Sequence, residues 1–172
     1  MALVTTIGGS TANSYVSISD AVSIFGGWLN TSAWDAADAT SREKALRQAA
    51  TRLQRETWVG SRVTATQALA WPRTGAAKPD SQASFVASGL IGVGWSAWFD
   101  SDEIPDDVKT AQCLLALNYL NGYGQSNGQA VESFTADGVS VKFGTARPET
   151  ILPEDVARLI APLLQGNRLE RA

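Results

Sequence analysis

The sequence predicts a mainly α protein: a small bundle of about four helices with one β-hairpin, an extended N-terminal arm and a long loop. Three observations carry this. Apolar residues recur at helical spacing in four separate stretches, each opened by a capping or acidic residue. One Asp-Gly pair, Asp137-Gly138, sits between two alternating runs. The first fourteen residues and the span 76–99 are rich in small residues and lack a period. The 172 residues suit one domain, for which about 100–150 is typical. A chain of this size can bury roughly 70% of its unfolded surface, enough for a core without staples.

Each element follows in order. Residues 1–14, rich in Thr, Gly and Ser, read as an arm. Tyr15-Val16-Ser17-Ile18 leads into a first helix. Ser19 is its expected N-cap, and Asp20 lies in the first turn, where the helix dipole favours an anion. Val22, Phe25 and Leu29 share its expected inner face, with Gly26-Gly27 near its end. A linker through Asn30-Thr31-Ser32 and Trp34 follows. Thr40 or Ser41 is the expected cap of a second helix running to Gly60. Leu46, Ala49, Ala50, Leu53 and Thr57 form its narrow stripe, which admits close helix approach. Pro72 biases Trp71 away from helix in Leu69–Gly75. The loop 76–99 is long for a compact domain and reads as an insertion.

Ile104-Pro105-Asp106-Asp107 opens the clearest helix. Val108, Ala111, Cys113, Leu114, Leu115, Leu117 and Leu120 are apolar almost all round, so this helix is expected to be covered on several sides. Asn121-Gly122 ends it. The hairpin is expected over 131–143, with Val131, Ser133 and Thr135 before and Val139, Val141 and Phe143 after the Asp137-Gly138 turn. Pro153 starts a last helix with Glu154 and Asp155 in its first turn and Val156, Leu159, Ile160 and Leu163 inward; Pro162 kinks or shortens it. The organisation expected is an arm at 1–14, a helical body at 15–152 with the 76–99 insertion, and a C-terminal helix and tail at 153–172.

Composition excludes several function classes. There is no His and one Cys, Cys113. That removes Cys/His zinc sites, a His general base, a Cys/His nucleophile and an intrachain disulfide. A net charge of −3 argues against a strongly basic nucleic-acid binder while leaving room for a local patch. Charged residues make up only 18%, against about 25% in ordinary soluble domains. No run nears the ~20 apolar residues that span a bilayer, so no membrane partner is expected. The N-terminus lacks the pattern of a secretory signal.

Charge is unevenly placed. Residues 1–41 hold no Lys or Arg. Residues 42–73 hold Arg42, Lys44, Arg47, Arg52, Arg55, Arg62 and Arg73 against Glu43 and Glu56. An acidic block follows: Asp100, Asp102, Glu103, Asp106 and Asp107. Opposite blocks suggest pairing within the fold or between copies; the plainer alternative is two solvated faces.

Candidate chemistry is sparse. The acidic block lacks a Gly-punctuated Ca²⁺ loop and a second carboxylate context for glycoside hydrolysis, and reads as helix N-terminal charge. Gly89, Gly92 and Gly94 do not follow a dinucleotide or P-loop spacing. No catalytic residue, metal or cofactor is therefore expected, nor an enzyme. Trp71, Trp95 and Trp98 beside arginines could stack single-stranded bases, or serve as subunit contacts, where Trp and Arg are enriched. The subunit-contact reading is the better one. Trp71, Arg73, Trp95, Trp98, Phe99, Arg47, Arg52, Arg55, Asp100, Asp102, Glu103, Arg168 and Arg171 are the candidate interface residues. The C-terminal helix with its charged tail is a further docking candidate.

Five segments in order carry a family resemblance: Asn13-Ser14-Tyr15-Val16-Ser17, Leu29-Asn30-Thr31-Ser32-Ala33-Trp34, the Lys44–Leu53 helix, Ala68-Leu69-Ala70-Trp71-Pro72-Arg73, and Ile104-Pro105-Asp106-Asp107-Val108-Lys109-Thr110-Ala111. Together they resemble the head–tail connector, or adaptor, proteins of tailed bacteriophages. Related sequences also carry the label of DnaT-like ssDNA-binding proteins. The resemblance implies a structural virion protein made in the host cytoplasm. It implies a ring, a dodecamer, between the portal protein and a tail-side neck or tail-terminator protein. Double-stranded DNA would pass through its lumen during ejection without tight binding. The alternative is a single-stranded DNA-binding protein.

Overall fold

A computed structural model describes residues 2–79, 98–124 and 152–166, together with the backbone of 133–136 and 139–142. Among the described residues its architecture is mainly α, with five α-helices and two antiparallel two-stranded pairs, one of them a tight hairpin. The helices are α1 (Ile18–Phe25), α2 (Ser32–Ala36), α3 (Ala39–Leu53), α4 (Asp106–Leu120) and α5 (Glu154–Ile160). The strands are β1 (Ser61–Arg62), β2 (Arg73–Thr74), β3 (Ser133–Ala136) and β4 (Val139–Lys142).

The α4 helix is the axis of the bundle. It packs on α1, α2, α3 and α5, as its apolar circumference requires. Val108, Ala111, Cys113, Leu115, Ala116 and Leu117 are buried, and it ends at Asn121 and Gly122 where expected. The expected α3 stripe is buried too: Leu46, Ala49, Ala50 and Leu53 face inward. Two alanines in that stripe let α3 lie close to α4.

The hairpin pairs Ala136 with Val139, leaving 137 and 138 between the strands, as the Asp-Gly signal predicts. Val131, Asp137, Gly138 and Phe143 lie outside the described residues. Pro162 does shorten the last helix: α5 stops at Ile160 and a 3₁₀ turn spans Ala161–Leu163.

Several boundaries differ from expectation for local reasons. Ser17, not Ser19, caps α1. Its hydroxyl accepts from Asp20 N–H while the Asp20 carboxylate accepts from Ser17 N–H. This reciprocal pair needs an acid three residues after the cap, which Ser17 has and Ser19 lacks. Asp38, not Thr40 or Ser41, caps α3 by accepting from Ser41 N–H. The helix ends at Leu53, so Thr57 leaves the stripe and is exposed. The linker expected around Trp34 contains α2, a fifth helix, which buries Trp34. On α1 the inner residues are Ala21 and Phe25. Val22 lies on the outer side of α1, 49% exposed, and Leu29, beyond the helix end at Gly26, is 88% exposed.

The N-terminal residues fold back rather than reaching away. Val4 N–H donates to Asn13 Oδ1 at 2.8 Å, Asn13 N–H donates to Val4 O at 2.9 Å, and Ala68 N–H donates to Gly9 O at 3.1 Å. Backbone groups of Val4, Gly9 and Asn13 are thus met within the chain. The C-terminal helix is also a core element, against the expectation that it packs poorly, and the charged tail at 167–172 lies outside the described residues. Val156, Ile160 and Leu163 are fully buried. The segment after them pairs with 57–59: Val59 N–H donates to Leu163 O, and Gln165 N–H donates to Thr57 O.

Candidate functional site

The basic block is the strongest electrostatic feature of the sequence, and the structure divides it in two. One part is spent inside the chain. Arg73 leaves β2 and donates to four carbonyls: Val59 O at 2.6 Å, Gly60 O at 2.6 Å, Ala70 O at 3.1 Å and Trp58 O at 3.3 Å. The five-donor fork of guanidinium suits such a cluster. Desolvation and the neighbouring Arg62 charge lower the Arg73 pKa, while Tyr15 opposes them. Arg42 donates to Trp34 O and Asp35 O and lies over the Trp34 ring at 5.2 Å. Arg52 pairs with Glu56 at 2.6 Å, and Arg62 donates to Gln67 O.

The other part faces outward. Lys44, Gln48 and Thr51 are exposed along α3, at positions that stack on one helix face. Exposed Arg55 continues the line in the turn after α3. Arg47 is half-buried beside them, with its Nε buried and unpartnered. Among the described residues Lys44, Arg47 and Arg55 enter no ion pair.

The acidic block is met locally. Glu103 pairs with Lys78 at 3.2 Å and accepts from Asp100 N–H. Asp106 pairs with Lys109 one turn later at 2.9 Å. Asp100 and Asp102 are exposed. Among the described residues no ion pair joins the 42–73 block to the 100–107 block within the chain.

The aromatic candidates separate in the same way. Trp71 is not a surface anchor: it is 1% exposed and packs edge-on against Trp58 and Phe99, with centroids 5.9 and 5.6 Å away. Phe99 is half-buried against it, with Lys78 over its ring. The reason is local. The turn through Pro72 returns the chain so that Ala76 O accepts from Phe99 N–H, which draws residues 98–99 onto the core. Trp98, paired with Ala77 in an isolated bridge, stays 40% exposed. Trp95, Arg168 and Arg171 lie outside the described residues. The structure therefore buries Trp71, sets half-buried Arg73 and Phe99 against the core beside it, and leaves Trp98, Arg55, Asp100 and Asp102 on the surface.

One residue that sequence reasoning passed over organises the interior. Gln112 on α4 is fully buried. Its Oε1 accepts from Tyr15 N–H at 2.9 Å, and its Nε2 donates to Ser14 Oγ at 2.7 Å and Leu46 O at 2.9 Å. An amide interrupting an apolar helix face was the available signal, since a buried polar group must be met. Nearby, burial pushes the Tyr15 hydroxyl up to about 12 against the pull of the Trp71 and Ala70 backbone. Burial likewise pushes the Cys113 thiol up to about 12, with the Asp20 charge adding to it. A thiol so raised is inert.

Among the described residues no group of three or more His, Cys, Asp or Glu could hold a metal ion. No described helix is long and apolar enough to cross a membrane. With this geometry in view, comparison with known proteins gives one result. A family model described as "Putative DnaT-like ssDNA binding protein" matches residues 1–172. No curated protein and no solved structure matches the chain.

Proposed function

The chain belongs to this DnaT-like family, and on that premise we propose a non-enzymatic protein that works beside DNA through surface contacts, as a head–tail adaptor of a tailed phage. The observation that carries this reading is the fate of the tryptophans and arginines. A single-strand grip needs exposed rings on which bases stack, lining a basic groove. Trp34, Trp58 and Trp71 are instead core residues, and Arg73 and Arg42 hold the chain's own carbonyls. Exposed apolar side chains remain at Leu29, Val22 and Trp98, which suit protein contacts. The resemblance of the Asn13–Ser17, Ala68–Arg73 and Ile104–Ala111 segments to adaptor sequences supports the same reading. In it the partners are further copies in a ring, a portal protein and a tail-side protein.

The test is assembly. Purified chain mixed with the portal of its own phage should give a discrete larger particle by sedimentation and negative-stain imaging. Trp98→Ala should keep the helical circular dichroism of the parent and lower incorporation. Absence of any complex with portal, with the chain staying a monomer throughout, counts against the adaptor.

A second reading, a single-stranded DNA-binding protein, is favoured by the family description and by the outward cations Lys44 and Arg55. On this reading a short labelled oligonucleotide binds at physiological salt without any partner protein. A salt-tolerant nanomolar complex would make this the primary function.

A further inference from the structure

We propose that the outward face of α3, with the turn that follows it, is a docking surface for the phosphate backbone of DNA. The proposal rests on the chain working beside DNA, which both readings above require.

The surface is defined by position and chemistry. Lys44, Gln48 and Thr51 occupy successive turns of one face of a fifteen-residue helix. Their opposite face, Ala45, Leu46, Ala49, Ala50 and Leu53, is locked into the core. The backbone under the outer face is thus rigid, and the stripe is presented in fixed register. Arg55 and half-buried Arg47 add two further cations. Lys44, Arg47, Arg55 and the Gln48 amide can donate to phosphate oxygens, while the Thr51 hydroxyl donates to Arg47 O at 2.9 Å and adds a small neutral side chain to the stripe. Glu43 borders it on one side, and the neighbouring Glu56 is already neutralised by Arg52. The chain as a whole carries −3, so this is a local positive field on an acidic molecule. Its complement is a polyanion.

The stripe contains no aromatic residue. Contact through it reads charge and carries no base preference. Three cations on a single strand predict a slope of log affinity against log salt of about −2. Binding should then weaken roughly fifty-fold between about 20 and 150 mM salt.

The experiment is fluorescence anisotropy of labelled dT and dA oligonucleotides with the full chain across that salt range. The wild type should bind both alike with the stated slope. Lys44→Glu combined with Arg55→Glu should lose at least about tenfold in affinity at low salt and flatten the slope to about −0.7. Circular dichroism should stay unchanged, since both side chains are exposed. Arg158→Glu, an exposed cation on α5, should bind as the wild type does. The proposal is overturned if Arg158→Glu weakens binding as much, because net charge alone would then be acting. It is overturned, with work beside DNA left standing, if the wild type binds and the double variant binds equally. A wild type that binds no DNA even at low salt removes both the surface and the DNA-binding reading. A double variant that changes sedimentation mass but not DNA affinity makes the face a contact between copies instead.

Discussion

Replacing Gln112 by Leu is the sharpest probe of how this bundle is held. Leu has nearly the volume of Gln, so the core stays filled and the change falls on hydrogen bonding. The Gln112 amide ties the segment before α1 to α3 and α4 through Tyr15 N–H, Ser14 Oγ and Leu46 O. The three groups are not equally exposed to its loss. Leu46 O lies inside α3 and keeps its own helical partner. Ser14 Oγ still donates to Val16 O at 2.6 Å. Tyr15 N–H has no substitute, and a buried N–H left without an acceptor costs about 1–3 kcal/mol. The expected loss is therefore about 2 kcal/mol, which in a protein of this size lowers Tm by roughly 4–8 °C. Urea denaturation followed by circular dichroism measures it. Ser14→Ala combined with Gln112→Leu should cost less than the sum of the two, since both act on one network. A Gln112→Leu protein as stable as the parent, or strict additivity with Ser14→Ala, would refute the argument.

Arg73→Lys should recover only part of what Arg73→Ala loses, about 3 kcal/mol by urea midpoint, because one ammonium cannot reach four carbonyls at once. Gly60→Ala should destabilise more than Gly75→Ala. Both have positive φ, but a Cβ on Gly60 meets the Thr74 carbonyl oxygen while Gly75 faces open space; the strain common to both is about 1 kcal/mol. In acid, the Asp20 carboxyl is held below the usual carboxylate range by the Ser17 backbone and hydroxyl. Its stabilisation is present above about pH 4 and is lost as pH falls through the lower folded value; Asp20→Asn should reduce that acid dependence. In alkali the sign reverses. Cys113 and Tyr15 keep their protons to about 12 when folded but ionise near 8.5 and 10 when unfolded. Stability is therefore full below about pH 8 and falls above it, and Cys113→Ala should remove the earlier part of that fall, read as urea midpoint against pH.

Much of the fold was legible because the signals were redundant. α4 carries a Pro-Asp-Asp opening, an apolar run and an Asn-Gly stop, each sufficient alone to place it. The α3 stripe and the shortening at Pro162 were equally plain. What failed was choice among near neighbours. Ser17 and Ser19 are both good caps, and only the three-residue spacing to Asp20 separates them. Asp38 and Ser41 repeat that problem, and Asp38 wins because Ser41 supplies the N–H it accepts from. The five residues of α2 are too few to show a period. The interface candidates were less legible still, because a residue type does not reveal which way it faces. Trp71 and Trp98 look alike in sequence. Only the return of Phe99 onto Ala76 decides that one is interior and the other is not. The role of Arg73 depends on carbonyls thirteen to fifteen residues earlier, Val59 and Trp58 among them, a relation no local pattern contains.

The two functional readings converge on a quantitative point. Affinity that comes from phosphate contacts scales with their number and falls with salt, as in proteins that make about six to ten of them. The α3 stripe offers three cations, Lys44, Arg47 and Arg55, with Arg47 only partly accessible. On either reading one copy should therefore touch DNA only weakly, through a salt-labile contact. Assembly changes this arithmetic. Copies linked in one particle present their stripes at high effective concentration, so weak contacts multiply without any new residue. A monomer should then show feeble binding, while the assembled form holds the same strand more tightly and releases it at moderate salt. A strand moving past the surface requires such release, and a strand meant to be held does not. Measuring oligonucleotide affinity before and after assembly with portal separates the cases. Adaptor function predicts binding that rises with assembly and stays salt-labile. Affinity indifferent to assembly, and strong in the isolated chain, requires a DNA site other than the α3 face.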